Sequence, residues 1–166
     1  GPLAQTGRSL DLALRGNGFF AVEREGQVLL ARAGDFRVDA EGWLVTQAGE
    51  RVLGEAGGLQ IPAGRLAVAA DGGLTVDGRP LDRLRLVDVG EPGRLRPVGG
   101  GLFAYDGELV EWRGSVVQGA IERANVDAAE QTVRLMEVTR HAESVQRAIA
   151  TYDRMLDTGI NKLGEN

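Results

Sequence analysis

Twenty-three of the 25 glycines lie at or before Gly119, and only Gly159 and Gly164 follow. Glycine weakens the interior of a helix or strand but suits the positive φ angles of tight turns. A chain punctuated this way over its first two thirds folds there as short strands joined by turns. The remainder has room for one long helix. The expected fold class is therefore mainly β: a Gly-rich, hairpin-built β domain followed by a long C-terminal amphipathic α-helix.

Strands are expected near residues 10–14, 19–24, 27–32, 36–38, 44–46, 66–69, 74–76 and 84–88, with later ones at 102–105 and 115–121. A weak repeat supports hairpins. Asp39-Ala40-Glu41-Gly42-Trp43-Leu44 is echoed by Asp71-Gly72-Gly73-Leu74, and Asp106-Gly107-Glu108-Leu109 has the same opening. Asp-Gly steps turn the chain, and the next apolar residue begins a returning strand. Gly1-Pro2 matches the remnant of a tag-removing protease, so residues 1–5 are read as scar and linker. The β-rich domain is expected over 6–121 and the helical segment over 122–166.

The helix is expected from Asn125 to Leu163. Asp127-Ala128-Ala129-Glu130 has the spacing of a capping box, in which the Asp and Glu side chains satisfy free amides of the first turn. Apolar or small residues then recur at Leu135, Val138, Ala142, Val145, Ile149, Tyr152 and Leu156, with Leu163 beyond. Alternating steps of three and four make a coiled-coil seam, which needs a partner helix. At 1.5 Å per residue the stretch from Asp127 up to Gly159, which has no Gly or Pro, would run roughly 45–50 Å, longer than a small β domain can cover. The seam is thus expected to be an assembly surface.

Composition narrows the function. A formal charge of −5 and the absence of a Lys/Arg run argue against nucleic acid as a partner. No apolar stretch nears the ~20 residues that cross a bilayer, so no membrane insertion is expected. With no cysteine and a single histidine, His141, thiolate chemistry and a histidine-rich zinc site lack their parts, and a Ser-His-Asp triad would have to use His141 without any Gly-x-Ser-x-Gly elbow. Gly16-Asn17-Gly18 fails the dinucleotide pattern, because Ala21 stands where a third glycine is needed and a strand follows. It reads as a turn feeding the aromatic pair Phe19-Phe20. Asp35, Asp39 and Glu41 lack the series of a calcium loop and read as turn residues. No catalysis, cofactor, metal or small-molecule substrate is expected. The alternative is a carbohydrate- or calcium-binding extracellular β module on a helical oligomerisation stalk.

Three ordered motifs carry a resemblance. Leu10-Asp11-Leu12-Ala13-Leu14-Arg15-Gly16-Asn17-Gly18-Phe19-Phe20 resembles a conserved-type opening, Leu-Asp-x-Ala-Ile-x-Gly-x-Gly-Phe-Phe, of bacterial flagellar rod and hook proteins. Ala31-Arg32-Ala33-Gly34-Asp35-Phe36, Asp39-Ala40-Glu41-Gly42 and Leu44-Val45-Thr46 continue it. Gln118-Gly119-Ala120-Ile121-Glu122-Arg123-Ala124-Asn125-Val126 is similar to the segment that introduces the family's C-terminal helix, with Ile121 and Ala124 as mild departures. Thr6–Asp11 and the stretch from Leu81 to Phe103 are most similar to a proximal rod subunit, with a distal one next. The resemblance implies a structural protein of the basal-body rod. Its terminal helices would pair into a helical core that transmits torque, and the N-terminal helical segment is absent from this chain. It also implies that the partners are copies of itself, other rod proteins and the type III export apparatus. Export without a cleaved signal, to the periplasmic span of the basal body, follows from the same source.

Overall fold

The computed structural model describes residues 2–123. Among them the strands are β1 (Leu3–Gln5), β2 (Leu12–Arg15), β3 (Phe19–Arg24), β4 (Gln27–Ala31), β5 (Arg37–Val38), β6 (Leu44–Val45), β7 (Arg51–Gly54), β8 (Gly57–Gly58) and β9 (Leu66–Val68). They continue with β10 (Gly73–Val76), β11 (Arg79–Arg83), β12 (Leu86–Val89), β13 (Arg96–Gly99), β14 (Leu102–Ala104), β15 (Leu109–Val110), β16 (Ser115–Gln118) and β17 (Ala120–Glu122). The helical segment expected from Asn125 lies outside the described residues, as do its seam positions.

The largest sheet runs β13-β14-β4-β3-β7-β6-β5, with β12, β15 and β8 branching from it. A second sheet runs β11-β10-β9, and two ribbons, β16-β2 and β1-β17, complete the set. All pairings are antiparallel between these strands. Strand β3 shows why the core forms where it does. Phe19, Phe20, Ala21 and Val22 are all buried, so both faces of this strand are covered. Successive side chains point to opposite faces. Phe19 accordingly meets Phe103 at 6.0 Å, while Phe20 meets Phe36 edge-on at 5.0 Å. Leu12, Leu14, Leu29, Leu44 and Val52 join Phe20 and Phe36 in one cluster, which also takes Leu66, Leu74 and Val76 from the second sheet. Each such buried side chain contributes about 1.5–3 kcal/mol.

The turns follow from local chemistry. Glu25-Gly26 joins β3 to β4 with φ of 52° and 78°, and Asp77-Gly78 joins β10 to β11 with 52° and 79°. Two consecutive positive φ values define the two-residue turn whose twist matches the flanking strands. Two of the three echoes share one device. Gly42 and Gly72 each end a turn and deliver a buried leucine, Leu44 or Leu74, two residues later. The third echo differs: Leu109 is 52% exposed, and Gly107, without a positive φ, lies against the Tyr105 side chain.

Several expectations need correction. Residues 115–121 form two strands, not one, because Gly119 takes φ 79° and separates β16 from β17. Residues 3–5 form no linker: β1 pairs with β17 in the register Leu3↔Glu122, Ala4↔Ile121, Gln5↔Ala120. The β unit therefore reaches past both ends of the expected 6–121 span. Strands β7, β8, β11, β13 and β15 were not expected. Pro80 in β11 and Pro97 in β13 argue against a central strand, and both strands indeed lie at sheet edges, where proline's missing donor is tolerated.

Candidate functional site: the terminal junction

The three motifs converge on the place where the described chain enters and leaves the β unit. Arg32 organises it. This side chain is 3% exposed, and its guanidinium donates Nε to Glu122 Oε2 at 2.8 Å and Nη2 to Glu122 Oε1 at 3.1 Å. The same group donates Nη1 to the Gly18 carbonyl at 2.8 Å and Nη2 to the Leu14 carbonyl at 3.0 Å. One residue of the second motif thus holds two carbonyls of the first and the carboxylate of the third. The planar fork of arginine is what permits this bidentate pairing; an ammonium could not reproduce it.

Glu122 shows the electrostatic balance. Burial pushes its carboxyl upward, but hydrogen bonding to Arg32 leads the opposing effects, and the net result lies below the ordinary value of 4.5. Its charged form is therefore favoured in the fold.

Further polar ties surround the pair. Gln118 donates its amide to the carbonyls of Ser9 and Leu66, both at 2.9 Å, and its Oε1 accepts from the Val68 amide at 3.0 Å. The Gly119 amide donates to the Asp11 carbonyl, while the Gly119 carbonyl accepts from the amides of Thr6 and Gly7. Thr6 Oγ1 donates to Asp11 Oδ2 at 2.6 Å. Asp11 is 2% exposed, and its Oδ1 has no partner among the described residues. Arg123 donates its amide to the Pro2 carbonyl, closing the ribbon.

The motif glycines serve this packing. A Cβ on Gly34 would overlap the Leu12 carbonyl, and one on Gly18, at φ 132°, would strike the Trp112 ring. Leu10 accepts the Phe36 amide through its carbonyl. Gly16 turns the chain at φ 85°, and Asn17 is exposed between it and Gly18. Gly42 belongs to the turn described above, where Asp39 Oδ1 accepts the amides of Glu41 and Trp43. Asp39 thereby acts as a turn residue.

Of the expected site residues, the structure brings together Leu10, Asp11, Gly16, Gly18, Phe19, Phe20, Gly34 and Gly119 around the junction. Asn125, Val126 and the seam positions Leu135, Val138, Ala142, Val145, Ile149, Tyr152, Leu156 and Leu163 lie outside the described residues. Arg32, Gln118 and Glu122 stand inside the quoted motifs but were not singled out. Their signal was a charged or amide side chain set among small and apolar neighbours in each motif.

A β unit whose first and last described strands pair with each other, with a buried arginine linking three separated segments, defines a β domain clamped at its ends. Residues 13–76 match the family described as the flagellar hook protein FlgE/F/G D1 domain, and residues 117–163 match the flagellar basal body rod FlgEFG protein C-terminal region. Arg32 falls in the first match and Gln118 and Glu122 in the second. The chain is 32% identical to the flagellar basal-body rod protein FlgF of Caulobacter vibrioides, across 99% of this chain and 70% of that one. It is 31% identical to the FlgF of Rhizobium meliloti, across 99% and 71%. A FlgG of Buchnera aphidicola is 30% identical, across 94% of this chain and 66% of that one. The chain belongs to the flagellar basal-body rod protein family of FlgF and FlgG.

Proposed function

We propose that this chain is a structural subunit of the bacterial flagellar basal-body rod, residing in the basal body, assembling with other rod proteins and carrying no reaction. The observation behind the mechanism is the β1–β17 register, which sets Leu3 opposite Glu122. Leu3 and Glu122 are thereby held side by side, and the Arg32 pair anchors their ribbon to the rest of the β unit. The C-terminal stretch supplies contacts to other subunits through the seam from Leu135 to Leu163. Heterologous contacts between copies extend helically instead of closing, as a rod requires. Torque passes through these contacts. The FlgF position is favoured by Thr6–Asp11 and by the stretch from Leu81 to Phe103, with FlgG next. Delivery uses the flagellar type III apparatus without a cleaved signal.

The test is genetic. Deletion of the gene should leave cells with neither rod nor hook, and the wild-type gene should restore both. A gene carrying Val145→Asp and Ile149→Asp should fail to restore them while the β domain still folds by circular dichroism. Complete rods in the deletion strain would overturn the reading.

A further inference from the structure

We propose that β15 of one copy docks against the β11 edge of a second copy of this chain. Leu109 and Val110 are 52% and 43% exposed. They are consecutive in a strand, so their side chains leave on opposite faces, and neither face is covered. Among the described residues β15 pairs only with β12, through Val89 and Asp88. The strand is too short to template backbone pairing, so what it offers is two exposed apolar side chains framed by Glu108 and Glu111.

The receiving surface lies on the other sheet. Among the described residues strand β11 pairs only with β10; Arg83 and Asp82 also accept the amides of Glu55 and Ala56, and Leu81 stands 36% exposed on the strand. Two grooves, of ≈ 560 and ≈ 480 Å³, share Pro80 and Leu81 as lining residues. Pro80 lacks an amide donor, so this edge engages through side chains and not as a further continuous strand.

Charge selects the partner. Residues 106–111 hold Asp106, Glu108 and Glu111 with no cation, whereas residues 79–85 hold Arg79, Arg83 and Arg85 against Asp82 alone. Two β15 segments would repel each other, but β15 and β11 attract. Asp106, Glu111 and Arg83 already touch Arg94, Arg113 and Asp71 at 3.2, 3.5 and 3.1 Å. All six side chains are about half exposed or more, and such pairs contribute little and exchange readily. Because the two surfaces differ, the contact is heterologous and open-ended. The choice of a second copy as occupant rests on the rod reading as well as on this complementarity.

The chain has no native cysteine, so disulfide trapping tests the contact cleanly. The full chain would be prepared as Leu81→Cys and as Leu109→Cys, mixed in equal amounts and oxidised. A disulfide forms only where Cα atoms approach within about 4.4–6.8 Å. The expected product is a mixed dimer several-fold more abundant than either homodimer. Adding Glu108→Arg and Glu111→Arg to the Leu109→Cys chain should reduce it several-fold, and Arg79→Glu with Arg83→Glu on the other chain should restore it. No mixed dimer, homodimers in equal yield, or failure of the paired charge reversal would each overturn the contact. None of these results bears on the rod reading, which the deletion experiment addresses separately.

Discussion

The core around Phe20 and the junction around Arg32 are both closed to water, yet they respond to substitution in opposite ways. Phe20, Phe36, Leu29 and Val22 are held by contact area, which has no direction and can be redistributed among neighbours. Arg32 and Glu122 are held by four hydrogen bonds of fixed geometry, two of them to backbone carbonyls. Moving either partner breaks bonds whose fixed geometry neighbouring side chains cannot reproduce. The core sets whether the β unit folds. The junction sets how the β1–β17 ribbon is tied to the segments around Leu14, Gly18 and Arg32.

The sharpest way to break this contrast is Arg32→Ala. Removing Arg32 should cost about 3 kcal/mol or more, because four charge-assisted hydrogen bonds, two of them to the Leu14 and Gly18 carbonyls, are lost together. Chemical denaturation of the full chain measures it. A loss under about 1 kcal/mol would place the pair among ordinary surface contacts.

Acid should act on the junction in the same sense. The Glu122 carboxyl is held below 4.5 in the fold, so the unfolded chain takes up its proton first as pH falls. Its contribution is therefore fully present above the unfolded value and is lost as pH drops through the folded one. Stability followed below about pH 4.5 should fall less steeply in Glu122→Gln than in the parent. Parallel curves would show that Glu122 does not carry this dependence.

Core substitution that conserves volume should matter least. Leu29→Met, at a fully buried site on β4, should cost less than about 1.5 kcal/mol by the same denaturation measurement. A cost equal to that of Arg32→Ala would erase the distinction between the two regions.

These regions were also unequally legible in the sequence. The aromatic pair Phe19-Phe20, the Gly-x-Leu turns at Gly42 and Gly72 and the strands β3 and β4 follow from local patterns, and the structure places them as expected apart from boundaries. The junction depends on pairs distant in the chain. Arg32 and Glu122 are 90 residues apart, and Gln118 reaches Ser9 over 109. No spacing rule links such positions, so the motifs marked them without explaining them. Strand β1 was missed for the same reason: three residues have little pattern of their own, and their partner β17 comes near the end of the described chain. In β11 and β13, Pro80 and Pro97 concealed edge strands. Only the resemblance to rod proteins gathered the three motifs, and the structure then gave them a common physical task.

That task can be tested by amide hydrogen exchange on the parent and on Glu122→Gln. The relevant probes are Ala4 and Ile121 in the β1–β17 ribbon, compared with Val22 and Leu30 in the central sheet. If the ion pair fixes the chain ends independently of the core, exchange in the ribbon should accelerate about tenfold or more, equivalent to about 1.4 kcal/mol, while Val22 and Leu30 stay unchanged. Equal acceleration at all four positions, or none at Ala4 and Ile121, would contradict it.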